Sequence, residues 1–261
     1  YMEMTDDFAY FIGVMCGDGY ISEKGLIDIK GGNQEYFSLV YCPLIKRLFG
    51  LEANIKSGKN VSKTGGVYYR SHFYSKYVSD LLNAHGIRSP KTFSVTVPEI
   101  IMNSADNIKS SFIRGVFDTD GSISTKINKD IVNYPTVALN SRSQSLVSEI
   151  TSMLLLMGMN VRPGNCMDKS KPRYHVRLYG FKELQKYMDK IGFLHPTKQS
   201  KANKILNAGI VRRAGRSTGR CAATYSALQA IDIARMALEF KTHTILREVP
   251  GSTPGQSIFR I

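Results

Sequence analysis

The sequence lacks long apolar runs, paired cysteines and the short motifs of several large enzyme classes. No apolar stretch of the 261-residue chain approaches the roughly 20 residues that a membrane-spanning helix needs, which excludes that class. Its 4 cysteines lie far apart with no C-x-x-C pair, which disfavours a disulfide framework or a zinc ribbon. We therefore expect an intracellular protein, cytoplasmic or nucleoid-associated, with an organelle as the alternative. The absence of a Gly-Lys-Ser/Thr loop, HExxH, His-Asn-His and G-x-S-x-G disfavours the corresponding chemistries.

Acidic residues are scarce relative to basic ones. The chain has 35 Lys and Arg against 21 Asp and Glu, which gives a formal net charge of +14. Hydrophobic residues make up 43% of the sequence, enough for a packed core, so a disordered polybasic tail is excluded. A folded and strongly basic protein favours a polyanionic partner, most often nucleic acid. Charge alone leaves DNA, RNA and an acidic membrane surface open.

The chain repeats itself after about 100 residues. FAYFIGVMCGDGYI (residues 8–21) and SSFIRGVFDTDGSI (residues 110–123) align on Asp-Gly pairs that are 102 residues apart. Each copy continues with an apolar helical run, a glycine, an alternating strand, an amphipathic helix and a Pro/Lys pair. We predict an α/β (α+β) protein with two pseudo-symmetric αββαββα halves, residues 1–102 and 103–207. Residues 208–261 have no counterpart in the repeat and form a basic, mainly helical C-terminal extension of unknown role.

Polar and apolar residues alternate along the predicted strands of both halves, as where Asp28 and Lys30 alternate with Ile27 and Ile29. Such a pattern is typical of antiparallel sheets with one face on the core and one face in water. The polar face carries Arg, Lys, Asn, His and Tyr, which can contact phosphates and read base edges. Several strands with the same chemistry favour a DNA-binding saddle over an ordinary solvated surface. The predicted DNA-binding residues are Lys30, Lys56, Tyr68, Arg70, His72, Tyr74, Asn140, Arg162, Arg173, His175, Arg177 and Tyr179.

Both repeated segments begin with a predicted helix that carries two small residues four positions apart. Gly13 and Gly17 share a face in the first copy, and Gly115 and Thr119 share a face in the second. A glycine inside a helix costs about 1 kcal/mol relative to alanine, so we expect a compensating close contact with another helix. The pattern therefore predicts that the two repeated helices pack against each other about a pseudo-twofold axis.

This packing would bring Asp18 and Asp120 together at the carboxyl ends of the two helices. Carboxylates there face the negative end of the helix dipole and repel each other, so a hard divalent cation would stabilise the pair. The free carbonyl oxygens of the last helical turn, here those of Gly17 and Thr119, would complete the ligand set. Mg²⁺ or a similar ion beside a basic surface is an arrangement that cleaves phosphodiesters.

FIGVMCGDG (residues 11–19) and IRGVFDTDG (residues 113–121) resemble the LAGLIDADG motif of homing endonucleases in the two-motif, single-chain form. The resemblance covers about residues 5–206. It implies a monomeric, metal-dependent endonuclease that cuts both strands of duplex DNA at a long non-palindromic target, with no membrane partner. It also implies that Asp18 and Asp120 bind the catalytic metal, which is Mg²⁺ or another divalent cation such as Mn²⁺.

The family also uses a lysine from each half near the cleavage site. Residues 86–101 resemble the segment that carries the first of these, at Lys91, and residues 192–206 resemble the segment that carries the second, at Lys198. A cation at either position would stabilise charge on the scissile phosphate or help to organise the attacking water. The first motif departs from the family pattern at its sixth position, where Cys16 replaces the usual acid.

Two alternatives with the same fold stay open. The first is a maturase that binds its host intron RNA and assists splicing, and the second is a regulator that binds DNA without cutting it. Retention of both acids argues against the regulator but leaves a protein with both cleavage and maturase activity open. No nucleophilic cysteine opens the chain and no His-Asn pair closes it. We therefore expect either a free-standing, intron-encoded endonuclease or an endonuclease segment taken from an intein.

Overall fold

The computed structural model describes residues 2–59, 66–89, 93–128, 131–168 and 171–214. The predicted catalytic Lys91 and most of the predicted C-terminal extension, from residue 215 onward, lie outside the described residues. No helix in the described ranges has both the length and the apolar character needed to cross a membrane.

Helices and strands alternate in the same order in both halves. A π-helical turn, Phe37–Tyr41, joins the second and third helices. The helices are α1 Asp6–Cys16, α2 Gln34–Tyr36, α3 Cys42–Phe49, α4 Lys76–Ala84, α5 Glu99–Met102, α6 Asp106–Thr119, α7 Gln144–Leu156, α8 Phe181–Lys190 and α9 Pro196–Ala214. The strands are β1 Gly19–Ile21, β2 Leu26–Gly31, β3 Asn54–Lys59, β4 Val67–Tyr74, β5 Gly121–Asn128, β6 Ile131–Ser141, β7 Val161–Asp168 and β8 Lys171–Tyr179.

The strands form two four-stranded sheets with equivalent strand orders. The first sheet has the order β1-β2-β4-β3 and the second has the order β5-β6-β8-β7. Every pair of neighbouring strands is antiparallel. The shared topology confirms the predicted α+β fold with two αββαββα halves.

One hydrophobic core joins the two halves. Helix α1 is central to it, since every residue from Phe8 to Cys16 is buried. The Thr5 side chain caps this helix by accepting a hydrogen bond from the Phe8 amide at 3.2 Å. The apolar face of each sheet packs on the same core. Examples are Ile27, Ile29 and Phe73 from the first sheet, and Val137, Leu139 and Val176 from the second.

The last described helix, α9, is amphipathic. Ala202, Ile205 and Leu206 are buried against the core, while Lys201 and Lys204 face solvent. The helix continues past residue 207, so the predicted boundary of the extension lies inside it. The compact unit that contains both halves ends at Gly209.

Candidate active site and nucleic-acid interface

Helices α1 and α6 cross in backbone contact at their glycines. A Cβ atom on Gly13 would collide with the carbonyl oxygen of Phe112, and one on Gly115 would collide with that of Tyr10. The two helix backbones approach each other here as closely as main-chain atoms allow, which only glycine permits. The predicted helix packing is therefore confirmed.

The crossing also brings the carboxyl ends of the two helices together. A Cβ atom on Gly17 would overlap the Thr119 side chain and would lie 3.6 Å from Cγ of Asp120. Asp18 directly follows Gly17, and Asp120 caps the last turn of α6. The structure thus places the two acids at the same end of the crossed helices.

Lys198 lies at the carboxyl end of α6. Its ammonium group donates hydrogen bonds to the carbonyl oxygens of Phe117 and Asp118, both at 2.8 Å, and to that of Thr119 at 3.2 Å. Carbonyl groups in the last turn of a helix have no partner within the helix, so the lysine satisfies three of them. The Thr119 carbonyl, which the sequence suggested as a metal ligand, therefore already accepts a hydrogen bond.

The charge of Lys198 is coupled to the acids around it. Burial lowers the pKa of Lys198 to about 8, while the charges of Asp118, Asp18 and Asp120 oppose this shift. Because the charges of both Asp18 and Asp120 act on the pKa of Lys198, this lysine lies near both acids. The structure thus brings three of the four predicted catalytic residues together, and the fourth, Lys91, lies outside the described residues.

Asp118 is the functional candidate that the sequence reasoning missed. It is buried, and its Oδ2 accepts hydrogen bonds from the Tyr10 hydroxyl at 2.7 Å and from the Leu194 amide at 2.9 Å. Burial raises the pKa of Asp118 to about 6, although these hydrogen bonds oppose the rise. Asp118 links the two halves, because Tyr10 belongs to α1. The available signal was the acid at the sixth position of the second motif, where the first motif has Cys16.

His195 completes this buried polar group. Its ring stacks on Tyr36 with centroids 5.0 Å apart and an interplanar angle of 14°. Burial, followed by the charge of Lys198, lowers the pKa of His195 to about 4, so the ring is neutral at pH 7. A cavity of about 120 Å³ lies beside these groups. Its polar lining includes Asp18, Lys30, Asn33, Tyr36, Asp118, Thr119, His195 and Lys198.

The donor groups at the crossing fit a hard divalent cation. Carboxylate and carbonyl oxygens are the ligands that Mg²⁺ and Ca²⁺ prefer, and Asp18, Asp120 and the helix ends supply them. Within the described ranges, no three His, Cys, Asp or Glu side chains form a group that could hold a metal ion. A cation here would therefore need further oxygen ligands from backbone carbonyls, water or a bound phosphate.

The polar face of the first sheet is partly exposed, as its sequence pattern predicted. Strand pairing sets Lys30 and Lys56 on either side of Arg70, so three cationic side chains form a row across β2, β4 and β3. Asp28 departs from the expected wet face, because it is buried and forms an ion pair with Arg70 at 2.7 Å. His72, Tyr68 and Tyr74 lie on the same face and retain at least partial exposure.

The second sheet presents a related surface. Strand pairing places Arg162 beside Arg177 and Asn140 beside His175, with Arg173 further along β8. Arg177 donates a hydrogen bond to the hydroxyl of Tyr179 at 3.3 Å. None of the residues predicted to bind DNA on either sheet is buried.

An arginine outside the predicted set holds the β7–β8 hairpin. Arg142 donates hydrogen bonds to the carbonyl oxygens of Asp168, Lys171 and Pro172, and to the Asp168 carboxylate at 3.0 Å. Its guanidinium group therefore connects the end of β7 to the start of β8. No sequence pattern indicates this role, since most of the partners are main-chain carbonyls more than 20 residues away.

Comparisons with known proteins agree with this architecture. A family model described as "LAGLIDADG-like domain" matches residues 107–192. The chain resembles the homing endonuclease I-WcaI bound to its DNA recognition sequence, with a TM-score of 0.52 and 16% identity, covering 77% of this chain and 87% of that one. It also resembles I-DmoI in complex with DNA and Ca, with a TM-score of 0.51 and 14% identity, covering 77% and 98%. Full-length DUF199/WhiA from Thermatoga maritima gives a TM-score of 0.53 at 14% identity, covering 90% and 69%.

Curated relatives are more similar in sequence but much longer. A glutamine–fructose-6-phosphate aminotransferase from Methanocaldococcus jannaschii is 25% identical over 210 residues, which are 78% of this chain and 18% of that protein. A replicative DNA helicase DnaB from Rhodothermus marinus is 29% identical over 196 residues, which are 72% and 20%. The chain thus spans about a fifth of the length of these curated relatives.

The chain has the α+β fold of the homing endonucleases I-WcaI and I-DmoI, with its two motif helices crossed between the halves. More particularly, residues 107–192, which contain the second motif, match the LAGLIDADG-like domain model. The resemblance inferred from the two motifs is confirmed.

Proposed function

We propose that this protein is a site-specific endonuclease that hydrolyses both strands of a duplex DNA target with a divalent cation. The observation that carries the proposal is the meeting of Asp18 and Asp120 at the end of two helices in backbone contact, inside a strongly basic protein. Acids at this position are costly for a protein that only binds DNA, because they repel the phosphates.

Asp18 and Asp120 would hold the cation, with the carbonyl oxygen of Gly17 as a further ligand. The Thr119 carbonyl, which accepts a hydrogen bond from Lys198, would contribute through its second lone pair. When bound, Mg²⁺ or Mn²⁺ supplies Lewis acidity toward a phosphate oxygen and a more acidic water. The ligands lie on rigid helix ends, so their positions are set before DNA binds and little reorganisation is needed.

Lys198 anchors the end of α6 and places a cationic side chain near both acids. Its pKa of about 8 leaves a proton that can move near neutral pH, so Lys198 can also transfer a proton during hydrolysis. Lys91 has the corresponding role in the first half. Asp118 and Tyr10 act as positioning residues, since they connect α1, α6 and the segment that leads to Lys198.

The polar faces of the two sheets bind the duplex on either side of the acids. Exposed lysines and arginines contact phosphates, and the inner polar side chains contact bases. Because the two faces differ in sequence, the target is non-palindromic. The structures of I-WcaI with its DNA recognition sequence and of I-DmoI with DNA and Ca support DNA and a divalent cation as ligands.

The relatives support an origin as an insert within a longer protein. Their names describe unrelated activities: an aminotransferase, a replication factor C small subunit, a DNA helicase and a translation initiation factor. Each matches this chain over 207 to 213 residues, although the named activities have no chemistry in common. A segment shared by such different proteins is most simply an independent unit, which favours an intein over an intron as its source.

The test uses DNA in which the host locus is joined without the coding sequence of this protein. A plasmid with this uninterrupted junction is expected to be linearised in Mg²⁺ or Mn²⁺ and to stay intact in EDTA. Asp18→Asn and Asp120→Asn should each reduce double-strand cleavage at least about 100-fold while binding persists, because each removes a ligand charge at the reacting phosphates.

The matched control is Asp80→Asn, which removes an exposed carboxylate paired with Lys76 and far along the chain from both motifs. It should cleave like the wild type. Linearisation by the double variant Asp18→Asn, Asp120→Asn would overturn the proposal. Splicing of a host intron by a protein that cuts no DNA would favour the maturase instead.

A further inference from the structure

One arginine on the first sheet is held in a way that suits the reading of a single base. We propose, resting on the proposed function, that Arg70 determines target specificity by donating two hydrogen bonds to one guanine. Asp28 is the positioning residue that aims the Arg70 side chain.

The ion pair between these residues is partly buried. Nε of Arg70 donates to Oδ1 of Asp28 at 2.7 Å, and 5% of the Asp28 side chain is exposed against 35% of that of Arg70. The carboxylate therefore lies beneath the guanidinium group, which faces the surface of the sheet. A buried carboxylate is costly unless it is paired, so the pair strongly favours this one arrangement. The Arg70 side chain is ordered before any ligand arrives.

The remaining donors of Arg70 point to the ligand. With Nε bound to Asp28, the guanidinium group keeps its two terminal Nη groups, which donate no hydrogen bond to any described residue. These groups form a flat fork. In the major groove, guanine presents two adjacent acceptors, O6 and N7, whereas adenine presents one acceptor and one donor. The fork therefore matches guanine.

The surroundings of Arg70 favour a base contact over a phosphate contact. Arg70 lies on the inner strand β4, and pairing sets exposed Lys30 and Lys56 on the two strands beside it. The negative charge of Asp28 cancels most of the long-range attraction between Arg70 and DNA. The acid on these three strands, Asp28, pairs with Arg70, so the two exposed lysines supply the phosphate contacts. Arg70 should therefore govern which sequence is bound, and Lys56 how tightly any sequence is bound.

The corresponding row of the second sheet contains neither an arginine nor an acid. That row consists of Asn140, His175 and Gly164. The Arg173–Asp168 ion pair of that sheet is longer, at 3.7 Å, and lies at the far end of β7 and β8. We therefore expect a short arginine–acid pair at this row to read guanine in the first half alone.

The test is a binding selection from a library of randomised duplex DNA, carried out in Ca²⁺ with the full chain. Sequences retained by the wild type should contain an invariant guanine in one half-site, and replacing it should weaken binding about 10- to 100-fold. Arg70→Lys keeps the charge and the ion pair but loses the fork, so it should lose this preference at an unchanged salt dependence. Asp28→Asn should reduce the preference to less than about tenfold.

The control is Lys56→Ala, which should keep the guanine preference and lower the slope of log affinity against log salt by about 0.9. Thermal melting checks that each variant is folded. Selection of the same guanine by Arg70→Lys would overturn the inference and leave the proposed function intact. Failure of the wild type to enrich any sequence would overturn both.

Discussion

The two halves share one topology but place their buried polar groups in different parts of the structure. In the first half, the buried acid is Asp28, which lies in the sheet and holds Arg70. In the second half, where Glu183 is also buried, the motif helix itself contains a buried acid, Asp118, which accepts hydrogen bonds from Tyr10 and Leu194. The comparison teaches that the duplicated backbone has been kept while its polar groups have diverged. In the first half the buried acid orders a side chain on the sheet surface. In the second half the buried acid of the motif helix stabilises the helix crossing.

The largest expected effect tests what the halves share. Gly13→Ala and Gly115→Ala should each lower the free energy of unfolding by at least about 3 kcal/mol, because either Cβ meets backbone that cannot move independently. Urea denaturation measures the loss. Gly32→Ala is the control, since a Cβ there meets no atom within 4 Å, and it should be close to neutral. A small loss for one of the two crossing glycines would show that the halves are not equivalent at the crossing.

The next effect concerns the sixth motif position, where the halves differ. Asp118→Ala should cost about 2–3 kcal/mol, because it leaves the Leu194 amide without its acceptor and the Tyr10 hydroxyl with the Tyr36 hydroxyl as its remaining partner. Asp118→Asn keeps an acceptor oxygen and should cost less. Cys16→Ala in the first motif should cost less than about 1.5 kcal/mol, since it removes one small buried group. Equal losses for Cys16→Ala and Asp118→Ala would contradict the specialised role of the second half.

A smaller effect is expected at the β7–β8 hairpin. Arg142→Ala should cost about 1–2 kcal/mol, because the carbonyl groups of Asp168, Lys171 and Pro172 lose their shared donor. Counted from the paired strands, the matching position in the first half is Gly32, which has no side chain to serve this purpose. Hydrogen exchange should therefore speed up in β7 and β8 alone. Faster exchange in β3 and β4 as well would contradict this assignment.

The smallest effect depends on pH. The pKa of His195 is about 4 in the folded protein and near 6.5 in the unfolded chain, so between these values the unfolded state binds more protons. Stability from neutral His195 is thus present above pH 6.5 and is lost as the pH falls toward 4. The variant His195→Ser introduces the residue found at the equivalent position of the first half. That residue is Ser89, which lies three residues after Gly86 just as His195 lies three residues after Gly192. Since His195 is partly exposed, this variant should lose about 1 kcal/mol less than the wild type between pH 7 and pH 4.5.

Urea denaturation at both pH values gives this difference directly. Asp118 also titrates in this range, with the opposite sign, because its raised pKa means that the folded protein binds more protons between pH 3.8 and 6. Asp118 is present in both proteins, so its contribution cancels in the comparison. An equal loss for wild type and His195→Ser would show that burial does not hold the ring neutral.

The sequence was sufficient for the fold and for the meeting of the two motifs. Both follow from local and repeated features: strand alternation, and small residues such as Gly13 and Gly115 at helical spacing. The sequence also predicted which strand residues share the accessible face, because side chains alternate regularly along a strand.

The missed features depend on contacts between distant residues. Asp28 was expected on the wet face because its strand alternates, and its burial results from Arg70 on another strand. Asp118 gained its partners from α1 and from the segment before α9. The three carbonyl groups bound by Lys198 carry no sequence signal at all, since every residue has one.

The glycine contact between α1 and α6 makes the spacing of Asp18 and Asp120 independent of the residues on the outer faces of the sheets. The helix spacing that holds Asp18 near Asp120 is set by main-chain atoms in contact at Gly13 and Gly115, with the Thr119 side chain against Gly17 beside the two acids. Mutations that alter the outer faces of the sheets therefore leave the spacing of the acids untouched. If the protein cuts DNA as proposed, each half can acquire a new DNA preference independently, while the offset between the two cut positions is inherited unchanged.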